Sequence, residues 1–290
     1  MKVLWGFDPF GENKKLQTMG KNVLKFLAGS GDQVKVVYVA SNAEVNLATA
    51  YNIDKEKRYT DFPRKLIKND LNALGLKKYA VEVLPTISMS ISASVKLLSQ
   101  YAQKTQTDFI VIATNSKKFL PRLVFGSFAE SLVHLSKTDV LIYHQKTKVH
   151  ERLPKNILYA HDFSAKGSAG LERAMVYAKK WNSILHVIHV TNAEFTPIQN
   201  NSEAEAYCTK ILKFANKVEK SIEAEGIKCN IHLEPSQESP ANVIIKKAKK
   251  LNAEVIIVAA KSGNLAAFLG GSVSRNIMRE SSLLTLILKV

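Results

Sequence analysis

Residues 255–289 read VIIVAAKSGNLAAFLGGSVSRNIMRESSLLTLILK, and residues 109–144 read FIVIATNSKKFLPRLVFGSFAESLVHLSKTDVLIYH. Both run in the same order: apolar strand, small-residue loop, apolar turn, Gly-Ser, amphipathic helix, apolar strand. A repeat of this kind is a whole structural unit rather than a motif. The beginnings of the two copies match as well. Lys2-Val3-Leu4-Trp5-Gly6-Phe7-Asp8 parallels Asn156-Ile157-Leu158-Tyr159-Ala160-His161-Asp162. Each is a β-prone run that ends on an aspartate, with a helical pattern after it. The chain has 290 residues, which suits two domains of ordinary size.

Strands and helices alternate within each copy. In the second, residues 157–160, 184–190, 229–233, 254–258 and 283–289 are predicted strands. Residues 165–181, 203–225 and 272–280 are predicted helices, and Ser239-Pro240 opens another, with serine as N-cap and proline at the first position. The first copy repeats this with strands at 34–39, 80–84, 109–112 and 140–143 and helices at 62–74 and 93–103. Short apolar strands without polar alternation, separated by helices, predict a parallel sheet covered on both faces. The expected fold is therefore α/β, two tandem doubly wound domains, each with a mainly parallel five-stranded sheet. Domain 1 is set at 1–146, the polar linker at 147–154 and domain 2 at 155–290.

Composition narrows the classes. Hydrophobic residues make up 46% of the chain, enough for a core in each half. The two cysteines, Cys208 and Cys229, are too few for a disulfide framework and point to a reducing compartment. The N-terminal apolar run is too short for a signal peptide and is interrupted by Asp8. No apolar stretch approaches the roughly 20 residues of a membrane span. A soluble, cytoplasmic protein is expected. The net charge of +16, from 41 Lys+Arg against 25 Asp+Glu, attracts polyanions non-specifically. Most lysines, however, fall on helical stretches such as Lys246-Lys247-Ala248-Lys249-Lys250, the pattern of a solvated face, and specific nucleic-acid binding is not expected.

In an open α/β sheet a ligand binds beyond the carboxyl ends of the strands, near the point where strand order reverses. Asp8 and Asp162 fall there. Each carboxylate can accept hydrogen bonds from a ribose or an adenine amine, or it can cap the helix that follows. Gly126-Ser127 and Gly271-Ser272 also fall there, each at a helix start, where free N–H groups and the dipole attract an anion. They read equally as helix caps, since Ser127 and Glu130 have capping-box spacing.

At these residues the sequence resembles the universal stress protein family, once per half. The likeness rests on the aspartate after the first strand, a second strand ending on valine (Val39, Val190), the strand-loop-Gly-Ser-helix unit and the closing strand. The resemblance implies a stress-response protein, without enzymatic activity, that binds ATP or another adenine nucleotide and acts through protein partners. Magnesium is implied only alongside a triphosphate. Nucleotide-binding members carry a loop Gly-x2-Gly-x9-Gly-Ser/Thr. Here the first copy has Ala113-Thr114-Asn115-Ser116, nine residues, then Gly126-Ser127. The second has Ala259-Ala260-Lys261-Ser262, eight residues, then Gly271-Ser272. Both therefore replace the first two glycines by Ala and Ser, and the second also loses one residue. A ligand-independent adaptor with degenerate sites, or a weak ATPase, are the alternatives. The resemblance further implies that the last strands pair the two halves within the chain, and that tandems associate into a homodimer.

No catalytic or metal constellation is expected from the seven histidines. His186 and His189, three apart on a strand, face opposite sides. A Gly-x-Ser-x-Gly nucleophile motif, a Walker A loop and a zinc-type cysteine pair are all missing from the sequence.

Overall fold

The computed structural model describes residues 1–10, 14–27, 32–40, 58–88, 90–114, 127–149, 152–192, 202–260 and 273–290. The chain divides into two compact units, one of Met1–Arg152 and one of Leu153–Ala260 with the C-terminal helix and strand.

In the first unit, β1 (Lys2–Gly6) is followed by α1 (Lys14–Leu27), β2 (Gln33–Ala40), α2 (Arg58–Ala73), β3 (Ala80–Pro85), α3 (Ile91–Lys104), β4 (Phe109–Ala113), α4 (Ser127–Leu135) and β5 (Asp139–Tyr143). The strand order is β3-β2-β1-β4-β5, and the four pairings are parallel. The second unit repeats it with β6 (Asn156–Ala160), α5 (Ala165–Trp181), β7 (Ile184–Asn192), α6 (Ser202–Ala224), β8 (Cys229–Ser236), α7 (Pro240–Lys250), β9 (Val255–Ala260), α8 (Val273–Glu280) and β10 (Leu284–Lys289). Its order is β8-β7-β6-β9-β10. The chain winds outward from β6 to β8, then returns across β6 to β9. This reversal opens a crevice at the carboxyl ends of β6, β7 and β9.

Local chemistry explains the elements. The strands β4 and β9 are buried along nearly their whole length, as apolar runs without alternation require. Each fully buried Val, Leu or Ile contributes about 1.5–3 kcal/mol through burial. Helix α5 turns Gly170, Leu171, Ala174, Tyr177, Ala178 and Trp181 to the sheet at the 3-4 spacing of an amphipathic face. It stops at Asn182, which takes the left-handed conformation with φ 53°, the geometry of a helix C-cap. Helix α7 starts as its sequence dictates. Ser239 accepts a hydrogen bond from the Asn242 N–H at 3.4 Å, and Pro240 occupies the first turn. Its lysines form the expected solvated face, where Lys246 meets Glu238 at 2.7 Å and Lys247 meets Glu234 at 2.6 Å.

Two elements differ from expectation by three residues or more at one end. Helix α2 begins at Arg58, so Pro63 lies inside it rather than in its first turn. Strand β8 runs on to Ser236 because β7 pairs with it in register through Asn192. No helix among the described residues is long and apolar enough to cross a membrane.

Candidate functional site

A cavity of about 240 Å³ opens at the carboxyl ends of β6, β7 and β9 in the second unit. This is slightly under the roughly 300–1,000 Å³ of drug-sized ligand sites. Its apolar wall includes Ile188, Val190, Ile244 and Val258, and its polar wall includes His161, Asp162, Lys166 and His189. Ala259, Val273 and Ser274 complete one side. Val273 and Ser274 open helix α8, so the positive end of that helix faces the same space. Three residues expected from the sequence, Asp162, Val190 and Ala259, thus meet at one cavity.

The loop from β6 to α5 builds the polar wall. Asp162 is exposed, and its Oδ1 accepts from the Ser164 N–H at 3.0 Å and from the Ser164 hydroxyl at 2.6 Å. Ser164, not Asp162, is the N-cap of α5, and it accepts from the Gly167 N–H at 3.0 Å. Of the two roles open to Asp162, it fills the capping one indirectly, by bracing the cap. Burial pushes its carboxyl upward, but the Ser164 bonds and nearby His161 outweigh that and hold it below the ordinary aspartate value.

Phe163 sits between them with φ 56°, a left-handed conformation that is rare for a bulky residue and costs about 1–3 kcal/mol. Three contacts hold it there. Its N–H donates to His161 Nδ1 at 2.7 Å. Its ring stacks on His189 at 4.2 Å and on Phe214 of α6 at 5.6 Å.

His161 is only 4% exposed. Because Nδ1 accepts the Phe163 N–H, the neutral imidazole carries its proton on Nε2. Among the described residues Nε2 meets no acceptor. Burial lowers His161 from 6.5 to about 4, with Asp162 opposing the effect and His189 adding to it. His189 donates from Nδ1 to the His161 carbonyl at 2.8 Å, and burial lowers it too. Both rings are therefore neutral near pH 7.

Helix α5 approaches this wall closely. The Tyr159 hydroxyl donates to the Gly167 carbonyl at 2.7 Å. A methyl group at Gly167 would lie 2.9 Å from His161 Nδ1, and one at Gly170 would lie 2.8 Å from the Ala259 methyl. Glycine is therefore needed at both positions. Sequence reasoning missed His161, Phe163, Gly167 and Gly170. The signal available was the pair of glycines three apart in an otherwise ordinary helical pattern.

The other expected residues are placed as follows. Asp8 follows β1, is exposed, and accepts from the Phe10 N–H at 3.0 Å. Val39 is half-buried near the end of β2, and Ala113 ends β4. Thr114 is buried, and its N–H donates to the Tyr143 carbonyl at 2.8 Å. Ser127 is the first residue of α4. Asn115, Ser116, Gly126, Lys261, Ser262, Gly271 and Ser272 lie outside the described residues, and with them most of both loops that resemble the phosphate loop. His186 faces away from His189, meeting His232 at 3.2 Å and the Asn156 side chain at 3.3 Å. Glu219, Glu223 and Cys229 cluster separately, and burial together with the two carboxylates pushes the Cys229 thiol up.

A family model described as the universal stress protein family matches residues 1–144 and again residues 154–289. A universal stress protein from Archaeoglobus fulgidus DSM 4304 is 20% identical with a TM-score of 0.66, covering 99% of this chain and 98% of that one. A functionally unknown protein from Pseudomonas aeruginosa PAO1 is 13% identical with a TM-score of 0.64, covering 99% of this chain and 92% of that one. At half length, a universal stress protein from Archaeoglobus fulgidus in complex with dAMP is 18% identical with a TM-score of 0.36, covering 47% of this chain and 96% of that one. No curated protein matches. With the family pattern met once in each half and the same α/β topology in both units, this chain belongs to the universal stress protein family.

Proposed function

We propose that this chain is a stress-response protein, without enzymatic activity, whose second half binds an adenine nucleotide or a related small ligand and which acts through protein partners in the cytoplasm. The observation that carries the reading is the cavity at the ends of β6, β7 and β9. It combines an apolar wall, a carboxylate that can accept from an amine or hydroxyl, and the positive end of a helix that favours an anion. A nucleotide has a partner for each. The replacement of loop glycines by Ala113, Ser116, Ala259 and Ser262 favours a second reading, a ligand-independent adaptor, because a side chain hinders close approach of phosphate to the backbone.

Calorimetric titration of ATP and AMP into the full chain separates the two. The variants are Ala259→Arg, which fills the cavity, and Gly126→Val, which alters the first half's loop. Binding that is abolished by Ala259→Arg and kept by Gly126→Val is the expected result. The absence of heat and of any thermal shift at millimolar nucleotide would overturn the nucleotide reading and leave the adaptor.

A further inference from the structure

The Asp162 carboxylate uses its two oxygens unequally. Oδ1 accepts from the Ser164 N–H at 3.0 Å and from the Ser164 hydroxyl at 2.6 Å. Oδ2 accepts no hydrogen bond from another residue among the described residues. Asp162 is exposed and lines the cavity, so a ligand there meets a carboxylate of which one oxygen is already engaged.

Ser164 does two separable things with one hydroxyl. Its oxygen accepts from the Gly167 N–H at 3.0 Å and caps α5. Its proton goes to Asp162 Oδ1. The first bond fastens Ser164 to the helix, and the second fastens Asp162 to Ser164. The first turn of α5 is itself seated on β6, because the Tyr159 hydroxyl donates to the Gly167 carbonyl at 2.7 Å. An untethered aspartate side chain turns among several rotamers, and a ligand must freeze it on binding. A carboxylate held beforehand avoids that loss. Burial pushes the carboxyl up, but the Ser164 bonds outweigh it and hold it below the ordinary aspartate value. Near pH 7 the group is therefore an acceptor only and demands a donor from the ligand.

The first half lacks this arrangement. Asp8-Pro9-Phe10 stands where Asp162-Phe163-Ser164 stands in the second. The Phe10 N–H donates to Asp8 Oδ1 at 3.0 Å, which matches the backbone bond of Ser164, but phenylalanine brings no hydroxyl.

We propose that Ser164 is a positioning residue for ligand recognition in the second half, whose hydroxyl holds Asp162 Oδ1 so that Oδ2 accepts from an amine or hydroxyl of the ligand. This inference rests on the small-ligand reading given above. It goes further by dividing the carboxylate between an oxygen that serves the fold and one that serves the ligand, and by naming the side chain that divides it.

The test uses the full chain and calorimetric titration of ATP. Ser164→Gly removes the hydroxyl but leaves a residue that caps a helix nearly as well as serine. Ser164→Thr keeps both the cap and the donor. Ser164→Gly is expected to weaken ATP about three- to tenfold with little change in the urea midpoint, and Ser164→Thr to retain most of the native affinity. In an Asp162→Ala background, Ser164→Gly is expected to cause no further loss, since a residue that acts through Asp162 then has nothing to position. A loss of the same size in both backgrounds would show that Ser164 acts through the helix start alone and would overturn the proposal. Equal affinity of the native chain and Ser164→Gly overturns it as well and leaves the nucleotide reading standing. If ATP does not bind the native chain at all, both fall together. Labelling with ¹³C-aspartate supplies an arm that needs no variant: bound ATP is expected to shift the Asp162 carboxyl resonance, and an unmoved resonance at saturating ATP refutes the proposal.

Discussion

Lowering the pH from about 7 to about 5 forces a proton toward His161, which the folded second unit resists. The ring is 4% exposed, and burial depresses it from 6.5 to about 4. Between those values the unfolded chain holds more protons than the folded one, so stability rises with pH. The stabilisation is complete above about pH 6.5, declines as the pH falls through the window, and is gone near about pH 4. The full gap corresponds to about 3 kcal/mol, of which about 2 kcal/mol is lost by about pH 5, where most carboxylates are still ionised. His189 faces the same ring and is lowered by burial as well, so the two titrate as a pair and add to the effect. His186 and His232 are lowered elsewhere in the same unit, each by burial first and by Lys247 second. Strands β1 and β2 contain no histidine, although their unit buries His134 and His144, so they serve as a comparison within the same sample. Hydrogen exchange, corrected for the intrinsic pH dependence of the chemistry, reports both units in one sample. Peptides from β6 and β7 are expected to open at least about thirtyfold more often at about pH 5 than at about pH 7. Equal protection of β6 and β7 at the two pH values would refute the argument that burial keeps these rings neutral.

Two substitutions probe how α5 seats on the sheet. Gly170→Ala places a methyl 2.8 Å from the Ala259 methyl and even nearer the Tyr159 hydroxyl. It is expected to destabilise by about 1–3 kcal/mol through overpacking, measured by urea denaturation, and an unchanged midpoint would show that the helix shifts freely. Ser164→Ala removes the acceptor for the Gly167 N–H and the donor to Asp162. A loss of about 1 kcal/mol is expected from the missing cap, together with faster exchange confined to the first turn of α5.

The fold was legible because the signals that carry it are redundant. A run such as Phe109-Ile-Val-Ile112 is apolar at every position, so neither a missed boundary nor a proline alters its reading. The repeat then doubled each assignment. Element ends were less legible: β8 extends to Ser236 because of its partner strand, and pairing is not written in the segment itself. The site was legible in its positions but less so in its chemistry. Asp162, Val190 and Ala259 line the candidate cavity because topology places them at the strand ends. His161 was not legible, because its significance comes from a bond to Phe163 two residues on, and that bond depends on a left-handed backbone conformation that nothing in Asp162-Phe163-Ser164 announces.

The matching aspartates and Gly-Ser pairs make the halves look equivalent, yet the residues just before those aspartates differ in chemistry. In each half a helical glycine lies over the aromatic of the first strand, Gly20 over Trp5 and Gly170 over Tyr159. In the first half the Trp5 indole N–H donates to the Tyr143 hydroxyl at 3.2 Å, so its polar end is satisfied within the sheet. In the second the Tyr159 hydroxyl is used on the α5 backbone instead. The next inward position is Phe7 in one half and His161 in the other, each 4% exposed. Phe7 can offer a neighbour only packing, as it does edge-on to Trp5 at 4.9 Å. His161 offers a buried donor. Motif spacing favours the first half, since it keeps the family's nine residues before Gly126. The strand ends favour the second, where Asp162 and His189 line the described cavity. Phe7→His places a polar ring in the buried spot beside Trp5, and it is expected to destabilise the first unit by about 1–3 kcal/mol in urea denaturation, whereas an unchanged midpoint would show that the first half accepts a histidine there as the second does.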